Sequence, residues 1–399
     1  MSKGLLTLNA GSSSIKFAAF AHQSKGSEPE LLLSGQIAGI GCNAVFNASD
    51  ANGNKLSGPK SGIAEIQDHE SAIYQAIQWL QQQTDSYELV GVGHRVVHGG
   101  EQHNRPALVT AELLEGLEKL NPLAPHHQPH NLAAIKAVSI TAPDLPQIAC
   151  FDTAFHTTQP NIAKQLPIPK NYVEKGIQRY GFHGLSYEYI VSAVPEHNHG
   201  EMPERMIVAH LGNGASLCGM YKGSSVVTSM GFSTLDGLMM GTRSGSLDPG
   251  VLLHLMRYEG MNENELTDFI YNQCGLLGVS GISADMQVLL GSDDPQATNA
   301  IELFCYTLVR HIGSHVAALG GLDALVFTGG IGEHADYVRS QVCKELQWLG
   351  LELASVANLN CADKISTESS RIKVWVIPTN EELVIARHTK EILQEQVDL

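Results

Sequence analysis

Leu5-Leu6-Thr7-Leu8-Asn9-Ala10-Gly11-Ser12-Ser13-Ser14-Ile15-Lys16-Phe17 is an apolar run, a tight polar turn and a second apolar run. That pattern reads as a β-hairpin. A glycine and small hydroxyl residues at the tip let backbone N–H groups come close to an anion. Asn9 enters the turn and Lys16 leaves it, so an amide oxygen and a cation flank the tip. By itself the stretch reads equally as a phosphate-holding turn or as an ordinary Ser/Gly-rich turn.

A second copy favours the first reading. Met206-Ile207-Val208-Ala209-His210-Leu211-Gly212-Asn213-Gly214-Ala215-Ser216-Leu217 repeats the pattern, and Ser224 to Thr228 follows as an expected third strand. A third apolar-then-glycine element runs from Asp323 through Thr328-Gly329-Gly330-Ile331-Gly332-Glu333. Two similar hairpins about half a chain apart imply a duplicated domain. Elsewhere strands alternate with helices, which predicts an α/β fold. Asp68 and Thr110 cap expected helices, and Gln147 to Phe151 is a strand that delivers Asp152 at its end. Helices are expected at Pro249 to Tyr258, Glu263 to Cys274, near Asp285, from Pro295 to Leu319 and from Val338 to Leu349. Thr379 with Glu382 fits a capping box for a last helix. Asn47 to Gly62 reads as an exposed loop. Within it Gly53 to Ser61 nearly spells a Walker A loop, with one residue too many before the lysine and no strand expected ahead of it.

Composition narrows the function. The chain has 399 residues, room for two or three domains, and a net charge of -16, which leaves no basic stripe for nucleic acid. No stretch approaches the ~18 apolar residues of a membrane span. The run Leu5 to Leu8 is too short for a signal peptide. Seven scattered cysteines without a Cys-x-x-Cys pair read as reduced thiols in a cytoplasm. The histidine groups His94/His98, His126/His127/His130 and His311/His315 have suggestive spacings. They lack the cysteine pairs or the His-Glu-x-x-His helix of a zinc site.

Several short motifs then appear in order: Asn9 to Lys16, Gly93-His94-Arg95-Val96-Val97-His98-Gly99-Gly100, Cys150-Phe151-Asp152-Thr153-Ala154-Phe155-His156, Arg179-Tyr180-Gly181-Phe182-His183-Gly184, His210 to Gly214, Gly241-Thr242-Arg243-Ser244-Gly245 and Pro378-Thr379-Asn380-Glu381-Glu382-Leu383. From Leu6 to about Arg387 the chain resembles the acetate kinase family, which includes propionate and butyrate kinases. The resemblance implies two duplicated ribonuclease H-like domains of the actin/hexokinase/Hsp70 type with a nucleotide cleft between them. Residues 1–152 plus 383–399 would form the first domain, and 153–382 the second. It also implies ATP/ADP and Mg²⁺, with Mn²⁺ as a substitute, a small carboxylate substrate and a homodimer built mostly on the second domain.

The acceptor of such a kinase is an acid of pKa near ~4–5, already ionised at neutral pH. No base is needed to create the nucleophile, and cations must screen two anions from each other. Arg95 and Arg243 each end an apolar run beside small residues, where a guanidinium reaches an oxyanion or, equally, a surface carboxylate. By resemblance Arg95 would hold the acyl carboxylate and Arg243 the transferring phosphoryl. His183 would donate to a phosphoryl oxygen; a structural histidine is the alternative. Asp152 takes the family's catalytic role, read here as positioning Arg95 or a magnesium-bound water. Ser12, Lys16, His210, Leu211, Gly212, Asn213 and Gly214 would face the phosphates. Asp285, Met286, Gln287, Gly330, Ile331, Gly332, Glu333 and His334 would face adenosine, with Gln287 and His334 departing from the usual basic residue and asparagine.

Val97, Phe182, His126 and Thr234 would wall the acyl group, the last two being more polar than usual, and His127 would line the site. Asn9 and Glu381 match the metal positions, although Glu381 also reads as an acidic first-turn residue of a helix. Acetate is the expected acceptor. Propionate or another short acid, and a hydroxyl acceptor with Asp152 as base, are the alternatives. A non-enzymatic nucleotide clamp is the third reading.

Overall fold

The computed structural model describes residues 2–11, 14–22, 26–59, 63, 66–83 and 87–397. It forms two compact units, Met1–Ala154 with Asn380–Leu399, and Phe155–Thr379. The seams thus fall at 154/155 and 379/380, where 152/153 and 382/383 were expected.

The first unit carries β1 (Ser2–Ala10), β2 (Ser14–His22), β3 (Glu30–Ala38), β4 (Val45–Asp50), β5 (Tyr87–Val96), β6 (Ala107–Leu108) and β7 (Gln147–Phe151) in one sheet, ordered β4-β3-β2-β1-β5-β7-β6. The second carries β8 (Arg205–Leu211), β9 (Ala215–Tyr221), β10 (Ser224–Thr228), β11 (Ala324–Thr328) and β12 (Lys373–Val376), ordered β10-β9-β8-β11-β12. In each unit three consecutive strands run antiparallel and two later strands lie parallel to the first of them. The series β3-β2-β1-β5-β7 and β10-β9-β8-β11-β12 therefore share one order and one set of directions. The duplication inferred from two hairpins is a duplication of whole sheets.

Both hairpins close tightly. Ala10 faces Ile15 and the Gly11 N–H donates to the Ser14 carbonyl at 2.8 Å. Leu211 faces Ala215 and the Gly212 N–H donates to the Gly214 carbonyl at 3.1 Å. The third glycine element is different: β11 runs straight into a short helix, Gly329–His334.

In the first unit β2 is buried on both faces. Ile15, Phe17 and Ala19 join a core with Ile73, Ile77 and Trp79, where Phe17, Phe46 and Trp79 meet with ring centroids 4.9–5.9 Å apart. Ala18 and Phe20 pack on the other face against the last helix, Glu381–Val397. That helix lies close because β5 presents glycines to it. A methyl at Gly91 would come 2.6 Å from Leu393 Cδ1, and one at Gly93 would collide with Ile385 and Thr389.

Several local expectations are corrected. Val45–Asp50 is an edge strand, so part of the expected loop is sheet, and a strand does precede the near-Walker stretch. The chain then turns back on Asp50, whose carboxylate accepts the N–H groups of Asn52 and Asn54 at 2.9 Å each. Asn380 caps the last helix by accepting the Leu383 N–H at 3.0 Å, displacing Thr379 from that role. Glu263–Asp268 is α-helical and continues as a π turn through Phe269–Gln273. The helices Gln128–Thr141 and Gly184–His197 were not anticipated. No helix among the described residues is long and apolar enough to cross a membrane.

Candidate active site

In the first unit four of the expected residues meet at the ends of β1, β5 and β7. Register places Arg95 opposite Cys150, two positions before Asp152, whose N–H bonds the Val96 carbonyl at 3.0 Å. Arg95 Nε donates to both Asp152 oxygens at 3.1 Å, and Nη2 donates to Oδ2 at 2.6 Å. Nη1 donates to Asn9 Oδ1 at 3.2 Å, and Nε lies 3.9 Å from Glu381 Oε2. Asn9 Nδ2 is 3.5 Å from the same Glu381 oxygen. Burial opposes the Arg95 charge, but the carboxylates of Asp152 and Glu381 outweigh it and hold the guanidinium above its ordinary pKa. Asp152 is 1% exposed and Arg95 20%, so the acid is the buried anchor and the base keeps an open edge.

Around them Val97 is buried, while His126 and His127 are half-buried just ahead of the helix Gln128–Thr141. Lys16 stands opposite Asn9 in the hairpin but is exposed, lining a trough of about 570 Å³ with Gln36, Lys55, Asn380 and Glu382. Ser12 lies outside the described residues.

In the second unit the centre is the β8–β9 tip. His183 starts the helix Gly184–His197 in a left-handed conformation, φ 59° and ψ 27°, which is uncommon for a residue with a side chain. Its Nδ1 is 2.8 Å from Ser216 Oγ, and Ser216 Oγ also bonds the Tyr187 hydroxyl. The chain running from Tyr187 to Ser216 to Nδ1 is the arrangement that puts the imidazole proton on Nε2; run in reverse it puts the proton on Nδ1. The ring stacks on His210, centroids 4.3 Å apart, and His210 Nδ1 is 2.8 Å from Ser186 Oγ.

Arg243 lies over the same tip. A methyl on Gly214 would be 2.6 Å from Arg243 Nη2 and 3.5 Å from His183 Nε2, so glycine there lets both groups sit against the turn. Arg243 Nη1 donates to the Thr234 carbonyl at 2.8 Å. Among the described residues no carboxylate pairs with it, and burial lowers its pKa to about 10. It remains a cation at neutral pH, with no counter-ion among the described residues. Thr234 is buried, and the Phe182 ring is 1% exposed with its carbonyl accepting from His156 Nε2 at 2.9 Å.

A cavity of about 620 Å³ opens beside the tip. Gly212, Asn213, Asp285, Met286, Gln287, Gly330, Ile331 and His334 line it, together with Ala284 and Leu290. Leu211, Gly214, Gly332 and Glu333 do not. Leu211 is fully buried, and Gly332 is buried in the short helix. Glu333 turns back to accept the Gly329 N–H at 2.8 Å and the Thr379 N–H at 3.4 Å.

Sequence reasoning missed the hydroxyls behind the imidazoles. Ser186 and Tyr187 follow His183 by three and four positions, a one-turn helical spacing that puts them beside it. Reading Gly184 onward as a helix would have exposed that signal.

The profile of the Acetokinase family matches residues 4–387. An acetate kinase of Rhodopseudomonas palustris is 48% identical over 391 residues, 97% of this chain and 98% of that protein. One from Methylocella silvestris is 45% identical over 400 residues, 99% of each. Among solved structures, Porphyromonas gingivalis acetate kinase superposes with a TM-score of 0.86 at 34% identity, covering 98% of this chain and 100% of that one. A propionate kinase from Francisella tularensis gives 0.89 at 34% identity, with the same coverage.

Proposed function

The chain belongs to the acetokinase family, and from that premise we propose that it transfers the terminal phosphoryl of ATP directly and reversibly to acetate, giving acetyl phosphate and ADP. The observation that carries this reading is Arg243: a half-buried guanidinium that pairs with no carboxylate among the described residues, beside His183 Nε2 and a glycine hairpin tip. A phosphoryl group passing through a metaphosphate-like state needs such donors on its equatorial oxygens. Arg95 would hold the acceptor carboxylate on the edge that Asp152 leaves open. Asp152 has no proton to take from an ionised acid and acts by fixing Arg95. The 620 Å³ cavity would hold the nucleoside, with Asn213 and His210 toward its phosphates.

Asn9 and Glu381 suit Mg²⁺: Asn9 turns its Nδ2 to Glu381 Oε2 and its Oδ1 to Arg95, and that amide oxygen and the carboxylate are the hard oxygen donors the ion would take, one or two at a time, beside water and phosphate. Bound there, Mg²⁺ would neutralise phosphate charge. The seven cysteines are all free, in keeping with a cytoplasmic location.

Incubating the protein with MgATP, hydroxylamine and acetate, propionate or butyrate tests the reading. Acyl hydroxamate is expected, with acetate preferred; no product from any acid would overturn it. A preference for propionate would move the acceptor to the longer acid, the alternative named from the sequence, without changing the class of reaction.

A second copy is proposed to cover the helix Pro249–Tyr258. The helix is apolar yet has no buried residue, with Leu253 50%, Met256 47% and Tyr258 74% exposed. Light scattering should give twice the 43.0 kDa chain mass, and Leu253→Glu with Met256→Glu should halve it. A parent at the single-chain mass would end the proposal.

A further inference from the structure

We infer that Asn131 is a positioning residue for the first unit's site: its side-chain amide stands in for a backbone rung where β1 and β5 part, and sets the spacing of the strand ends that carry Asn9 and Arg95.

The parallel ladder between β1 and β5 ends at Leu8 opposite His94. Beyond that point each strand stays paired only on its outer side. Asn9 and Ala10 remain with Lys16 and Ile15 of β2, and Arg95 and Val96 remain with Cys150 and Phe151 of β7. The sheet forks, as open α/β sheets do where their ligand sites form. Asn131, 1% exposed on the helix Gln128–Thr141, enters that fork. Its Nδ2 donates to the Ala10 carbonyl at 2.7 Å and its Oδ1 accepts the Val97 N–H at 2.9 Å. Only the amine can donate to a carbonyl and only the oxygen can accept from an N–H, so both prongs fix the amide's orientation.

Two neighbours brace the prongs. Gln128, one turn earlier and fully buried, accepts the His98 N–H at 3.1 Å and donates to the His98 carbonyl at 3.0 Å. His69 Nε2 lies 2.5 Å from the Gly11 carbonyl. The Ala10 and Gly11 carbonyls are thus turned onto Asn131 and His69. That keeps their lone pairs off any anion at the tip. Across the mouth of the fork, Arg95 Nη1 reaches Asn9 Oδ1 at 3.2 Å, a contact that a sub-ångström change in spacing would break. A spacer of this kind acts on the metal side through Asn9 and on the carboxylate side through Arg95, without touching either ligand.

The kinetic arm of the test rests on the carboxylate-kinase reading; the exchange arm needs only folded protein. Asn131→Leu has similar bulk and neither bond. Its amide hydrogen exchange should rise about tenfold or more over residues 8–15 and 96–99 and stay at the parental rate elsewhere. Its kcat in the hydroxamate assay should fall about 10²-fold. The Mg²⁺ needed for half-activation and the KM for acetate should both rise, while the KM for ATP holds.

Asn131→Asp keeps the acceptor for Val97 and loses the donor to Ala10. It should raise the Mg²⁺ requirement and spare the KM for acetate. Its rate relative to the parent should recover as pH falls, because a protonated carboxyl again donates to Ala10. Parental exchange at both prongs in either folded variant would overturn the inference, as would an apparent kcat that falls only by the unfolded fraction while every KM and the Mg²⁺ requirement stay parental. Should Asn131→Leu not fold, Asn131→Asp decides alone. Faster exchange confined to the prongs, in a protein whose parent makes no hydroxamate, would sink the kinase reading and leave the spacer standing.

Discussion

Arg243→Ala is expected to lower kcat about 10³-fold or more, with the KM for ATP changed less than about tenfold. The reason is the state of its charge. Arg95 is neutralised by Asp152, but Arg243 meets only the Thr234 carbonyl and, among the described residues, no acid. A partly desolvated cation without an acid beside it is costly to keep, and an anion that gains charge on the way to the transition state is the partner that would offset that cost. Arg243→Lys should recover little. An ammonium is a compact point charge and does not span Thr234 and a phosphoryl oxygen as a planar fork does. Added guanidine should partly restore Arg243→Ala and leave Arg243→Lys unmoved. The hydroxamate assay at saturating substrates measures all three. An alanine variant retaining more than a tenth of parental kcat would mean that the guanidinium serves the fold.

What was legible in the chain follows from how far each signal reaches. Both hairpins were readable because apolar run, glycine turn and apolar run are contiguous in sequence. Asp152 was readable as the residue after the apolar run Ile148 to Phe151, and its partnership with Arg95 follows once β5 and β7 pair. Asn131 and His69 were not readable. Their partners, Ala10 and Gly11, are backbone groups 121 and 58 residues away, and no local pattern reports a bond of that span. The helix carrying Asn131 also hides its period, because it buries Gln128 and Asn131 along with Leu132, Ala134, Ile135, Ala137 and Val138. The helix after His183 has no capping side chain ahead of it, opens on Gly184 and contains Pro195, so its start and its interior both read as breaks. Glu333 was read toward the nucleotide from its place in a glycine motif. A carboxylate four residues after Gly329 serves the N–H of its own helix's first turn instead.

The role of Asp152 admits a sharper test, and Asp152→Asn is expected to cut kcat/KM for acetate about 10²–10³-fold across the whole pH range. Losing one partner of a buried ion pair costs roughly 2–5 kcal/mol, and each 1.4 kcal/mol is tenfold. If Asp152 were a general base, the parent's acid limb would belong to it and would vanish in the variant. As an anchor for Arg95 it should instead leave the shape of the profile unchanged and lower its height. The loss should also be independent of the acceptor's pKa, because an ionised acid brings no proton to remove. A second consequence is local to this geometry. Arg95 Nε already stands 3.9 Å from Glu381 Oε2, so a guanidinium released by Asp152 has a carboxylate to turn to. Closing that gap would occupy the oxygen assigned to the metal, and the Mg²⁺ concentration for half-activation should rise in Asp152→Asn while the KM for ATP measured at saturating Mg²⁺ holds. A variant that loses the acid limb, keeps its Mg²⁺ requirement and is slowest on the weakest acids would make Asp152 a base after all.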